Sequence, residues 1–410
     1  MSYKEELLGD YIDILSGFAF KTKDFVDNGV PIIKIKNISP PCVTLDDLTY
    51  VSNEVAEKQK KFILSYDDVL IAMTGSHINQ WASVVGRVAR VKYSDKTLLN
   101  QRVGKITIKD NTEADINYIY YYLSQDTVKI ELAAKAGGAA NQANISPAHI
   151  KGLAFPCPDL ATQHKIGNIL RSYDDLIEKK QKQIQLLEEA AQRLYKEWFV
   201  DLRFPGCEDV DVVDGVPEGW RYKRVEELGE VITGKTPSTA KTEYYGGSIP
   251  FVTIPDMHGT VFPLVTEKTL TKVGADTQKS KYLPANTVIV SCIATVGLVN
   301  IAIEPCQTNQ QINSVILHDD NNLYFFYESM KRIKALLDGV GSNGATMTNV
   351  NKTKFSNIKV LYPTEDLVMK YNEFCKPIFA QILASSKAML TSKQARDRLL
   401  PKLIRGEIEV

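Results

Sequence analysis

One stretch near the middle of the chain constrains the rest. Residues 161–200 read ATQHKIGNILRSYDDLIEKKQKQIQLLEEAAQRLYKEWFV, without proline, with one glycine, and rich in residues that favour helix. The apolar positions form one seam: Ile166, Leu170, Tyr173, Ile177, Ile184, Leu187, Ala191, Leu194 and Trp198. The steps alternate four and three, with one skipped position at Lys180, so a heptad pattern is sustained. A helix from 166 to 198 is roughly 50 Å long. A single apolar stripe of that length is not stable alone in water and needs a partner helix.

The chain offers one candidate. Residues 366–404 carry a looser seam of Tyr371, Cys375, Ile378, Ile382, Met389, Leu399 and Leu403, interrupted by Ser385, Ser392 and Arg396. Pro377 is expected to kink or restart this helix and Pro401 to distort its last turn, with Gly406 as the stop. Two such helices separated by a whole domain predict an intramolecular coiled coil.

The intervening sequence repeats. ANISPAHIKGLAFPCP, ending at Pro158, aligns with TNVNKTKFSNIKVLYP, ending at Pro363, so that Asn144 falls on Asn349 and Phe155 on Val360. Upstream, Asn117-Tyr118 falls on Asn322-Leu323, Asn100-Gln101 on Asn309-Gln310, Gly86 on Gly297, and Val69 on Val288. Pro31 falls on Pro250 and Leu8-Gly9 on Leu228-Gly229. The shared order with a steady drift in spacing predicts domain, helix, domain, helix. The boundaries are 1–157, 158–205, 206–362 and 363–410. Short β-branched pieces such as PIIKIKNI, DVLIAM and VGKITI, with IPFVTI, TVIVSCI and INSVIL in the second copy, read as strands. Each copy then has a helix-like segment, INYIYYYLSQDTVKIELAAKA and NLYFFYESMKRIKALLDGV, ending in a glycine-containing loop. The fold class is therefore α+β or mixed. It comprises two homologous α/β domains with mixed, largely antiparallel sheet, two long helices packed as an antiparallel coiled coil, and a pseudo-two-fold repeat.

Composition narrows function mostly by exclusion. Lys plus Arg equals Asp plus Glu at 49 each, so any basic surface must be local. The six cysteines are scattered with no C-x-x-C pair, which argues against a zinc site or disulfide framework and fits a reducing cytoplasm. No signal peptide or membrane span is expected. GEVITGKT, Gly229 to Thr236, matches the phosphate-loop pattern, but charged WRYKRVEEL precedes it and Pro237 follows, so a turn at a domain start is expected. Ser39-Pro40-Pro41-Cys42 is read as a turn, not a methyltransferase loop. No catalytic constellation is visible. An ATPase resting on GEVITGKT and a protein-binding coiled-coil scaffold are the rival readings.

The two copies differ most between Val69 and Gly86. There the first has extra residues, supplying Ser76, His77, Asn79, Gln80 and Trp81. Asn and Gln match adenine edges and Arg matches guanine. Arg87, Arg90, Lys92, Arg102 and Lys105, interleaved with apolar residues, are candidates to meet phosphates from one strand face.

Taken together, the chain resembles the specificity subunit of type I restriction–modification enzymes over its whole length. The resemblance is carried by VPEGW and LGEVITGKTPST, by Asn-Gln at 100–101 and 309–310, by LYKEWFVDLRFPG closing the first helix, and by LLPKLIRGEI closing the second. The first copy lacks the P-x-G-W and T-P-S elements. The resemblance implies two target-recognition domains on double-stranded DNA, each reading half of a bipartite target, and helices that set the half-site spacing. It implies no catalysis and no cofactor in this chain. Two modification subunits would bring S-adenosylmethionine and methylate adenine; restriction subunits would bring ATP and Mg and cut. Expected DNA contacts then also include Lys34, Lys36, Gln101, Lys235, Thr236, Ser238, Lys241, His258, Asn309, Gln310 and Gln311. Expected partner contacts are Leu194, Trp198, Phe199, Leu399 and Leu403.

Overall fold

A computed structural model describes residues 3–137, 142–333 and 349–410. The glycine-containing loops expected after each shorter helix lie largely outside these residues. The chain divides into two compact units: residues up to Leu176 with Ser392–Val410, and Ile177–Thr391.

In the first unit the main sheet begins with Ile12–Ser16, Val103–Ile108, Val69–Ala72 and Val88–Arg90, all paired antiparallel. It continues through Cys42–Val43, parallel to Val88–Arg90, to Ile38–Ser39. A smaller sheet runs Leu98–Leu99, Val30–Ile33, Thr49–Val51 and Phe25–Val26, its first pair parallel. Asp115 caps Ile116–Ser124 by accepting from the Tyr118 amide at 2.8 Å. Tyr118, Tyr120, Tyr121 and Tyr122 are all buried. Such rings stay inside only because each hydroxyl finds an acceptor. Tyr118 donates to the Pro156 carbonyl at 2.6 Å and Tyr122 to the Ala154 carbonyl at 2.8 Å.

The second unit repeats the plan. Gly229–Thr233, Ile312–Leu317, Val288–Ser291 and Val299–Ile301 form an antiparallel sheet in the same order. Its smaller sheet runs Lys268–Leu270, Tyr245–Val252 and Gln307–Thr308, again with one parallel pair. Most of the sequence register holds: Val69 and Val288 open equivalent strands, and Gly86 and Gly297 both have left-handed φ, +82° and +95°. At the domain start it shifts. Gly17 matches Gly234, three residues off the alignment of Leu8-Gly9 with Leu228-Gly229, because strand pairing and not residue identity sets the register there.

The long helices are Leu160–Phe199 and Glu365–Ile404, 40 residues each. Within each unit their segments pack antiparallel. In the second unit, Ser385 Oγ donates to Gln183 Oε1 at 3.2 Å and the Tyr371 hydroxyl to the Ala191 carbonyl at 3.3 Å. In the first, Arg396 pairs with Asp174. Ile166 and Leu170 enter the first unit's core and Ala191 and Trp198 the second's. Ser385, Ser386 and Ser392 are buried, so serines that looked like breaks in the seam are small residues inside the packing. The expected restart at Pro377 is absent: the helix is assigned without a break through Pro377 and Pro401. The stop is where glycine predicted it. Gly406 adopts φ +70°, its amide donates to the Leu403 carbonyl, and the Glu407 amide donates to the Lys402 carbonyl at 2.9 Å. No described helix is long and apolar enough to cross a membrane.

Candidate nucleic-acid interface

In the first unit one end of the main sheet gathers three segments. The Met73 amide donates to the Arg102 carbonyl at 2.9 Å and the Asn100 amide to the Ile33 carbonyl at 3.1 Å, while Arg87 Nη2 reaches the Ile35 carbonyl at 3.4 Å. Gly17 lets the backbones meet, since a Cβ there would lie 2.2 Å from the Asn100 carbonyl oxygen. From this end rises the loop that follows Thr74–Gly75. Its neck is closed by the Ser76 amide on the Ser83 carbonyl at 2.9 Å and the Val85 amide on the Ser76 carbonyl at 3.0 Å. At the tip Ile78, Asn79, Gln80 and Trp81 are exposed; His77 is half-buried.

The cations sort differently from expectation. Gln101 and Arg102 are exposed at the same sheet end. Arg90 is not: it is 4% exposed, 3.3 Å from Asp67, and donates to Asn117 Oδ1 at 2.8 Å, while Arg171 of the first long helix meets the same Asp67 at 2.6 Å. Lys92 leans toward Asp67 at 3.6 Å. Lys105 pairs with Asp68 at 2.7 Å, and Lys36 with Asp47. Lys34 donates to Thr49 Oγ1 at 2.8 Å, its ammonium 4.9 Å from the Phe25 ring centre, and burial lowers its pKa. Arg87 spends one guanidinium nitrogen on the Ala82 carbonyl at 2.9 Å, and burial lowers its pKa too. Ser76 is buried and donates to the Gln80 carbonyl at 2.6 Å. Arg90 and Ser76 are buried with their polar atoms engaged inside the unit and so act in its scaffold, while Lys105 is partly exposed and already ion-paired.

The second unit forms the corresponding corner. Gly234 follows the strand Gly229–Thr233, and a Cβ on it would lie 2.2 Å from the Asn309 carbonyl oxygen. The Lys235 amide donates to the Thr308 carbonyl at 2.9 Å. Thr236 Oγ1 meets Gln310 Oε1 at 2.6 Å, and Asn309 and Gln311 bond each other at 3.1 Å. Lys235, Ser238, Lys241, His258 and Gln310 are exposed; Lys241 also donates to the Tyr244 hydroxyl at 3.0 Å. GEVITGKT is therefore strand and then loop, with the three-residue 3-10 turn Thr242–Tyr244 as the next helical element. Its amides serve the sheet and do not converge on an anion.

Two supporting residues gave no sequence signal. Gln278 Nε2 holds the Lys235 carbonyl at 2.6 Å and Gln307 Oε1 at 2.8 Å. Lys129 sets its ammonium 5.0 Å from the Trp81 ring centre. Both lie far in sequence from what they support.

The residues expected to face a partner are engaged within the chain to different degrees. Trp198 and Phe199 are 6% and 7% exposed, packed on Tyr371, and Phe199 also meets Trp220 and Phe325. Leu403 is buried in the first unit's core, and Leu194 and Leu399 are half-buried against their own cores. Adjacent helix residues can both be buried when a globular domain wraps the helix as well as the other helix packing on it. Among the described residues no group of His, Cys, Asp and Glu could hold a metal ion.

A family model described as the type I restriction modification DNA specificity domain matches residues 3–189 and 217–366. A type I restriction enzyme HindI specificity subunit from Haemophilus influenzae is 35% identical over 322 residues, 63% of this chain and 70% of that protein. The MjaIX specificity subunit from Methanocaldococcus jannaschii is 27% identical over 337 residues, 80% of this chain and 76% of that protein. The crystal structure of an S subunit from M. genitalium has the same fold, with a TM-score of 0.64 at 15% identity, covering 98% of this chain and 96% of that one. With the repeated recognition-domain plan and the long helices, these matches show that the chain belongs to the type I restriction–modification specificity subunits.

Proposed function

We propose that this chain reads a bipartite duplex target, one half per unit, and directs the chemistry of other subunits. What carries the reading is the repeated strand order ending in one polar corner per unit: Asn79, Gln80, Gln101 and Arg102 in the first, Lys235, Ser238 and Gln310 in the second. Amide side chains at such a corner match base edges and the cations match phosphates. The differing loops give the corners different preferences. Modification subunits supply S-adenosylmethionine and methylate adenine, and restriction subunits supply ATP- and Mg-dependent cleavage; this chain contributes recognition and no catalytic group. The test replaces residues 1–157 with those of a relative and sequences the methylome of cells carrying the chimera with its modification subunits. One half of the methylated motif changes and the other stays. A change in both halves, or in neither, overturns independent reading.

A further inference from the structure

The tip of the first unit's extra loop is apolar at two of its four residues. Ile78 is 56% exposed and Trp81 40%. Large exposed side chains that stand singly mean little. These stand on a loop tied by its own hydrogen bonds. Ser76 Oγ bonds the Gln80 carbonyl at 2.6 Å and lies 2.9 Å from Ser83 Oγ, and the Gln80 amide donates to the His77 carbonyl at 3.1 Å. Gly75 keeps the neck narrow: a Cβ there would lie 2.5 Å from the Ser83 carbonyl oxygen. Lys129, itself ion-paired with Asp126 at 2.6 Å, approaches the Trp81 ring. Contacts of this kind hold the tip outward and lower the ordering cost of binding.

The residues between them identify the occupant. Asn79 and Gln80 are exposed amides, suited to an adenine edge, and Gln101 and Arg102 lie at the same sheet end. In the major groove the apolar group that a base offers is the thymine C5-methyl. We infer that Ile78 and Trp81 are specificity residues that recognise thymine methyl groups in the half-site read by the first unit. Because Asn79 and Gln80 lie between them, the tip is a reader of A·T pairs. The second unit, whose corresponding segment from Val288 to Gly297 is shorter, lacks this element. The inference rests on the DNA-reading function proposed above.

The test uses the full chain assembled with its modification subunits. The probe is a duplex carrying the motif found by methylome sequencing. Each thymine of the first unit's half-site is replaced in turn by deoxyuridine, which lacks only the methyl group. At one or more positions the replacement weakens binding of the wild-type complex about five-fold, a fraction of the discrimination a full base contact gives. That loss shrinks below about two-fold in Ile78→Ala or Trp81→Ala, as expected when the group the methyl touched is gone. Ile78 is exposed, so Ile78→Ala keeps the wild-type melting midpoint and is the primary variant; Trp81→Ala also loses the Lys129 contact and is read against its own melting midpoint. A half-site without A·T pairs, a uridine scan without effect, or a loss that persists in both variants overturns the inference. Exchange of residues 1–157 separates the two levels. If it changes one half of the motif while the uridine scan is flat, the tip's role falls and the DNA-reading function stands. If it changes neither half, the DNA-reading function falls.

Discussion

Arg396 of the second long helix is ion-paired with Asp174 of the first, and Asp174 also accepts the Tyr121 hydroxyl at 2.6 Å. A charge that interrupts the apolar seam in sequence is thus a cross-helix tie in the fold. The pair is only partly exposed, at 16% and 20%. Asp174→Ala leaves a half-desolvated guanidinium with Asp397 alone and a buried tyrosine hydroxyl without its acceptor. The expected loss is about 2–3 kcal/mol. Asp174→Leu with Arg396→Leu recovers the part due to the unpaired charge, because an apolar pair carries no charge to desolvate, and leaves the part due to the Tyr121 hydroxyl. Urea unfolding of the full chain measures both, and single variants within about 0.5 kcal/mol of wild type, the ordinary surface range, would mean the tie is inert.

Two arginines of similar sequence context should behave oppositely. Arg102→Ala, at the exposed sheet end, weakens binding to all duplexes alike and reduces the salt slope by about 1. Arg90→Ala strips Asp67 of a buried partner and lowers the melting temperature before it touches specificity. Gln80→Ala relaxes one base position by roughly 1–3 kcal/mol. Salt titrations and thermal melts side by side decide this, and an Arg90 variant of normal stability but altered specificity would reverse the assignment.

Glu328, in the helix Leu323–Lys331, is 3% exposed. Burial pushes its pKa up to about 7 from 4.5; Lys331 and Arg332 oppose this and Glu188 adds to it. An acid whose folded pKa is raised contributes stability that is complete below the unfolded pKa and lost as pH rises through the folded one. Between pH 4.5 and 7 the second unit therefore loses about 3 kcal/mol relative to Glu328→Gln. Denaturant unfolding of both proteins at pH 5 and pH 8 reads the difference. Parallel pH profiles would show that Glu328 does not titrate in this range.

The long helices make a length prediction. Gln183 faces Ser385, so four residues inserted after Lys182 need four more after Ser385 to keep the pair in step. Each insertion adds roughly 6 Å of helix. On B-DNA that is about two base pairs, since about 34–36 Å spans 10–10.5. The methylome of the double insertion should show the unread spacer lengthened by one or two base pairs with both half-sites unchanged. A working variant with the old spacer would mean the helices do not set the distance.

Periodicity and repetition made the helices and the two-fold plan legible, because both are local or self-similar signals. The second helix was harder to read. Ser385 and Arg396 look like faults until Gln183 and Asp174 stand opposite them, and those partners are more than 200 residues away in sequence. The site was legible as a region and less so by residue. Of the 76–81 stretch, Ile78 to Trp81 are exposed, as a polar insertion suggests, while Ser76 is buried at its neck. A basic residue on a strand, however, carries no mark of whether an aspartate awaits it, as Asp68 awaits Lys105 and Asp67 awaits Arg90. Trp198 and Phe199 were hard to place for a related reason: adjacency excludes one shared seam but not a domain that encloses the helix end.

The first unit draws part of its core from the far end of the sequence. Leu403 and Ile404 are buried with Leu8, Ile12 and Phe155, and Ile408 and Val410 pack against them. The ribosome releases those residues only after the whole second unit has emerged. The amino-terminal reader, first to be synthesised, is therefore among the last parts to mature. A nonsense mutation that ends the chain after Thr391 removes none of the second unit, yet it leaves the first with an open core. Late truncations are thus expected to act on the opposite end of the protein from where they fall in the gene.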